Sequence, residues 1–171
     1  MKSYIGGAAL EARVLYDEVS PEINWSDPLN RLIITSGPLG GTSFPGVGTV
    51  NFVTKGALTN GAASGQANGV FGAYLKLSGY DGIILQGRCD ELVYLSINER
   101  GVKIRGAEKL RGLSTYETYS KLSGNVVEGK ISTLGPAGEN LVRFAGIFER
   151  EGHSSSKMAL MPSWDLKELK R

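Results

Sequence analysis

Glycine constrains this chain more than any other feature. It accounts for 24 of 171 residues, about twice the ~7% share of an average protein. The spacing is not periodic, which excludes a collagen-like helix. The glycines concentrate between Gly37 and Gly82. Glycine in a globular chain marks positive φ or the close approach of backbone to something else, here another strand or a ligand.

The apolar pattern supplies the elements of secondary structure. Ala8 to Val19 reads as a helix, with Ala9, Leu10, Val14, Leu15 and Tyr16 giving an apolar stripe, Gly6-Gly7 before it and Pro21 after it. Arg31 to Thr35 and Thr49 to Thr54 read as strands, separated by the loop GPLGGTSFPGVG. Leu58 to Gly69 reads as a second small-residue loop, and Val70 to Leu77 as a short helix with Gly79 at its C′ position. Gly82 to Gly87, Leu92 to Ile97 and Val102 to Arg105 read as strands, the last two forming a hairpin around Asn98 to Gly101. Ser114 and Glu117 have capping-box spacing and open a helix running to about Leu122. Lys130 to Leu134 and Leu141 to Phe148 read as strands around a Gly135-Pro136-Ala137-Gly138 turn, and the tail ends in one or two helical turns. Many short strands and about three short helices, without strict βαβ alternation, predict an α+β fold of mostly antiparallel sheets. At this length one domain is expected, residues 1–150, followed by a divergent tail, residues 151–171.

Composition narrows the chemistry. There is one cysteine, Cys89, and one histidine, His153. An iron–sulfur cluster normally takes four thiolates and a zinc site three or four Cys, His or carboxylate ligands, so Cys and His build neither here, and no iron–sulfur cluster is expected within the chain. The net charge of +2, spread along the sequence, gives no footprint for nucleic acid or an anionic membrane. No apolar run reaches the length of a membrane span, and the chain does not open on a charged n-region followed by an apolar h-region, so a cytoplasmic location is expected.

One motif-like stretch reads as a decoy, and two further motifs are absent. Gly124 to Lys130 resembles the start of a P-loop, but Ile131 stands where Ser or Thr must hold magnesium, and a helix rather than a strand precedes it. No dinucleotide fingerprint follows a strand. A Ser-His-Asp triad would need His153 in a polar tail, with no nucleophile elbow. The paired glycine-rich loops carry more promise. Backbone N–H groups in such a turn form an anion nest, and the stretch Gly61 to Gly69 runs into a predicted helix N-terminus, where phosphate binds well. Lys55, at the end of the preceding strand, adds a charge if its side chain turns inward. The plain alternative is a tight strand-to-helix turn.

Several stretches then resemble one family. Gly135 to Ala145 (GPAGENLVRFA) matches, over eleven consecutive residues, a signature of the N-terminal domain of the aldehyde:ferredoxin oxidoreductases. Gly6-Gly7, Ser36 to Leu39, Val53-Thr54-Lys55, Leu75-Lys76 with Gly79 to Ile84, and Leu92 to Leu95 follow the family's order and spacing. The resemblance implies a domain of two β-sheets that forms the base for a tungsten- or molybdenum-pterin cofactor, with magnesium bridging the pterin phosphates. In the family, later helical domains supply the cluster cysteines and further pterin contacts. Its members oxidise aldehydes and pass electrons to ferredoxin, while one branch reduces benzoyl-CoA-type rings. The implied cofactor residues are Lys55, Gly65, Gln66, Ala67, Asn68 and Gly69, with none catalytic.

The sequence departs from the family pattern in four places. Chain before the first helix is shorter by about one hairpin. Thr49 stands where the family has an arginine between cluster and pterin. Gln66 replaces the magnesium-contacting Asn of the phosphate loop, with Asn68 nearby. The second glycine-rich phosphate loop is reduced in Ser154 to Lys167. Three readings follow. The chain is one subunit of a split enzyme whose partner chains carry the helical domains, or a non-catalytic binding or interaction module, or a gene remnant that has lost cofactor binding. In each, self-association or a partner subunit is expected.

Overall fold

The computed structural model describes residues 4–124, 130–149 and 153–155, and the backbone of residues 165–170. The chain is built on a five-stranded antiparallel sheet. Its strands are β1 (Arg31–Ser36), β2 (Val50–Lys55), β3 (Ala62–Ala67), β4 (Tyr80–Gln86) and β10 (Asp165–Lys170), in the order β10-β4-β1-β2-β3. Two smaller antiparallel sheets accompany it. One is the hairpin of β5 (Val93–Asn98) and β6 (Gly101–Gly106); the other joins β7 (Ser132–Thr133), β8 (Ile147–Glu149) and β9 (Ser154–Ser155). Four α-helices are described: α1 (Gly7–Glu18), α2 (Phe71–Leu77), α3 (Thr115–Ser123) and α4 (Gly135–Glu139). The expected α+β class with antiparallel sheets is the observed one.

Register sorts the side chains of the main sheet onto two faces, because they alternate along a strand. Ile33 lies opposite both Val53 and Ile84. These three receive Val14, Leu15 and Val19 of α1, forming one core layer. On the other face Ile34 lies opposite Phe52 and Ile83. There Leu32, Ile34, Val50, Phe52 and Ala67 pack with Ile147, while Leu75 of α2 packs with Tyr80 and Ile83. Ile97 and Val102 fasten the β5–β6 hairpin to that second cluster.

The capping box forms as its spacing predicts. Ser114 Oγ accepts from the Glu117 amide at 3.3 Å, and the Glu117 carboxylate accepts from the Ser114 amide at 2.8 Å.

Four expectations are corrected. Residues 62–67, expected within a loop, form β3, because the bare edge of β2 offers hydrogen bonds that six small and polar residues satisfy from Val50↔Ala67 to Lys55↔Ala62. The expected turn at Gly135 is α4, in which Pro136 suits the first helical turn. That helix shortens the strand expected over Leu141 to Phe148 to the three residues of β8. The tail forms no helical turn over residues 165–170. It is an edge strand paired with β4, from Asp165↔Gln86 to Lys170↔Tyr80, and so adds to the main sheet. The P-loop-like stretch lies in part outside the described residues, as do most of Ser154 to Lys167.

Within α1 the inward face also differs from the expected stripe. Tyr16 is 81% exposed, whereas Glu11 is fully buried beside Val14 and Leu15. Glu11 lies three and four residues before those two, which is helical same-face spacing.

Candidate functional site

The glycine-rich residues converge where β2 begins and α2 begins. A β-carbon on Gly48 would lie 2.4 Å from the carbonyl oxygen of Gly69, and one on Gly72 would lie 2.3 Å from that of Thr49. The Gly72 amide donates to the Gly48 carbonyl at 3.1 Å. Residues 48–49 and 69–72 are thus interlocked backbone to backbone, a contact that no larger residue permits. The glycines here serve the approach of one chain segment to another.

Gly65, Gln66 and Ala67 end β3, and Asn68 and Gly69 form the turn into α2. Gly65 pairs with Phe52, Gln66 with Asn51 and Ala67 with Val50. Ala67 is buried in the core. Gln66 and Asn68 are exposed, and Gln66 Nε2 donates to Asn68 Oδ1 at 3.0 Å. The segment therefore presents two side-chain amides to solvent from one strand end. Beside it stands Glu149 of β8: a β-carbon on Gly69 would lie 1.8 Å from Glu149 Oε2. Glu149 is itself buried. Sequence reasoning missed this carboxylate, because only the pairing of β7 with β8 and β9 brings it to the loop.

Two of the expected contributions to a phosphate seat are redirected. Lys55 does not turn towards Gly65 to Gly69. It lies opposite Ala62, at the far end of β3, roughly 20 Å from Asn68 at ~3.3 Å per residue. Its Nζ donates to the carbonyls of Ser20 at 3.2 Å, Pro21 at 2.7 Å and Ile23 at 2.6 Å, capping the chain that leaves α1. The start of α2 is redirected as well. That helix has seven residues, and its Gly72 amide is already taken by Gly48.

The donor set at the turn decides what it can hold. A bare phosphate would meet the Glu149 carboxylate at Gly69, and like charges at close range repel. A hard divalent cation takes carboxylate, amide and backbone oxygens as ligands; the Glu149 carboxylate stands at Gly69, while Gln66, next to core-facing Ala67 in the strand, lies on the other face of the sheet. Among the described residues no group of three or more His, Cys, Asp and Glu side chains is placed to hold a metal ion by itself.

A second cleft lies where β1 ends and β4 begins. It is lined by Gly6 and Leu10 on the α1 side, and by Ser36, Pro38, Lys76 and Asp81 opposite. Lys76 is buried and forms an ion pair with Asp81. Close by, Gly40 and Gly41 lie along α2, where a β-carbon on Gly41 would meet Leu77 Cγ at 3.4 Å. Leu39 and Phe44 of the same loop and Tyr74 and Leu77 of α2 are all exposed. Among the described residues no helix is long and apolar enough to cross a membrane.

Comparison with known proteins places this geometry. A profile of the aldehyde ferredoxin oxidoreductase N-terminal domain matches residues 1–170. The tungsten-containing aldehyde ferredoxin oxidoreductase of Pyrococcus furiosus is 38% identical over 174 residues, which cover 98% of this chain and 29% of that protein. The aliphatic sulfonate oxidoreductase WOR-like subunit of the same organism is 34% identical over 172 residues, covering 91% of this chain and 27% of its own length. Among solved structures, the active-site complex BamBC of benzoyl coenzyme A reductase with 1,5 dienoyl-CoA superposes with a TM-score of 0.87 at 36% identity, covering 91% of this chain and 24% of that one. The chain thus spans less than a third of the length of these relatives. It belongs to the aldehyde ferredoxin oxidoreductase N-terminal domain family.

Proposed function

We propose that this chain is the cofactor base of a tungsten- or molybdenum-pterin oxidoreductase of the aldehyde:ferredoxin type. On this reading it contributes the pterin-phosphate seat, and further polypeptide supplies the iron–sulfur cluster and the remaining cofactor contacts. The observation that carries the reading is the family match over nearly the whole chain together with its short span of each relative. When bound, the metal–pterin group supplies two-electron oxidation or reduction of the substrate.

The chain's own residues position that group. Gly65 to Gly69 form the seat: Gln66 and Asn68 offer exposed amide donors and acceptors. Glu149 sets the charge requirement, so the phosphate is taken together with magnesium. Ala67 anchors the segment in the core, and Lys55 acts in folding rather than at the seat. The exposed apolar patch of Leu39, Phe44, Tyr74 and Leu77 suits burial against a further subunit or a second copy.

Backbone-amide NMR during titration with pyrophosphate, with and without magnesium, tests the seat. Shifts at Gly65, Asn68 and Gly69 that grow when magnesium accompanies millimolar pyrophosphate are expected. Unchanged resonances at all three would remove the cofactor role. Purification from the chain's own source, followed by metal analysis, tests the wider reading, with tungsten or molybdenum expected in a complex containing a second polypeptide.

A further inference from the structure

Glu11 is a fully buried carboxyl group at the interface between α1 and the main sheet. Its Oε1 accepts from Thr35 Oγ1 at 2.9 Å. Its Oε2 has no hydrogen-bond partner among the described residues. Among the described residues, the sheet positions it faces carry no charge. On β1 these are Thr35 and Ile33; on β2, Asn51, which lies opposite Thr35; on β4, Gly82, also opposite Thr35. The charges on the elements around it are engaged elsewhere. Arg13 pairs with Asp17, and Arg31 with Glu18, near the C-terminal end of the helix. Lys55 of β2 is held by the three carbonyls beyond that end. Asp81 of β4 pairs with Lys76, and β3 contains no charged residue. An ionised carboxylate at Glu11 would be an uncompensated charge in a low-dielectric layer, so the group holds its proton instead. Burial pushes its pKa from the ordinary 4.5 up to about 8, against the opposing pull of the Thr35 side-chain and backbone hydrogen bonds.

We infer that Glu11 is a proton-operated latch: neutral, it lets the first turns of α1 lie on the sheet, and ionised, it releases them. The position gives the latch a consequence. Gly6 and Leu10, on either side of the first turn, form one wall of the cleft closed opposite by Ser36, Pro38, Lys76 and Asp81. Lifting the start of α1 widens that cleft and draws Leu10 off the apolar layer between helix and sheet. The C-terminal half of α1 stays tied down by Val14, Leu15 and Val19.

Hydrogen–deuterium exchange of the full chain at pH 6 and pH 9, corrected for intrinsic exchange rates, tests the latch. Protection of the α1 amides at residues 11–14, which bond to the carbonyls of the first turn, should fall at least tenfold at pH 9 in the wild-type protein relative to the C-terminal half of the helix and to β1. In Glu11→Gln and in Glu11→Leu it should be the same at both pH values. Thr35→Val removes a hydrogen bond that lowers the carboxyl pKa, so its loss of protection should begin at higher pH than in the wild type. Equal wild-type protection at both pH values would overturn the latch, as would an equal loss in the Glu11 variants.

Discussion

The α-carbon of Gly72 faces the carbonyl oxygen of Thr49 so closely that a β-carbon would lie 2.3 Å from it. The contact joins the first turn of α2 to the entry of β2. It explains why a helix start here is built from glycine. Backbone atoms cannot rotate away as a flexible side chain can. Gly72→Ala should therefore destabilise the chain by about 1–3 kcal/mol, as overpacking of a close-packed site does. Urea unfolding followed by circular dichroism measures it, and an unchanged midpoint would mean that the two segments separate at little cost.

Lys55 makes a second prediction, because its role is structural. Lys55→Met keeps the length of the side chain but leaves the carbonyls of Ser20, Pro21 and Ile23 without their shared donor. The expected loss is roughly 2–4 kcal/mol, from charge-assisted hydrogen bonds and their stranded acceptors. Pyrophosphate binding with magnesium should be unaltered in the folded fraction, since Lys55 stands at the opposite end of β3 from Asn68. A selective loss of that binding, with stability intact, would return Lys55 to the seat.

Stability should also fall as pH rises. The folded-state pKa of Glu11 is raised from 4.5 to about 8. Between those values the folded chain keeps a proton that the unfolded chain releases, so unfolding becomes easier throughout this window. Below 4.5 the cost vanishes and above 8 it is complete, at a few kcal/mol by the equivalence of ~1.4 kcal/mol per pKa unit. Thermal melts from pH 5 to pH 9 should show the melting temperature declining in the wild type, with a shallower decline in Glu11→Gln. Parallel curves for the two proteins would contradict the assignment.

The apolar patch predicts association. Phe44 and Leu77 are each about two-thirds exposed, at 66% and 67%, and Leu77 lies against Gly41, three residues before Phe44 in the chain. Sedimentation equilibrium should find the isolated chain self-associating with rising concentration, and Phe44→Ser with Leu77→Ser should shift it towards monomer. A wild-type monomer at every concentration would show that the patch is tolerated bare.

Sequence reading went furthest where chemistry is local. The Ser114–Glu117 box, the hairpin around Asn98 to Gly101 and the core strands depend on near neighbours in the chain, and each stands where its pattern places it. It went less far wherever a partner distant in sequence decides the outcome. Ala62 to Ala67 carries no strand-forming pattern, yet β2 draws it into the sheet. Glu11 is polar by composition, yet its helical spacing with Val14 and Leu15 buries it. Lys55 sits next to the glycine loop in sequence, but the antiparallel register sends it to the other end of β3.

The sequence by itself determined the family, the α+β class, the positions where backbone must pass close to backbone, and the scarcity of soft metal ligands. All of these follow from residue identity and spacing along the chain. The tertiary structure alone decided what each glycine meets, that Glu149 stands over Gly69, and that Lys55 and the start of α2 are spent within the fold. Those outcomes depend on strand register and on contacts between segments far apart in sequence, and a shift of one residue in register turns every side chain of a strand to the opposite face.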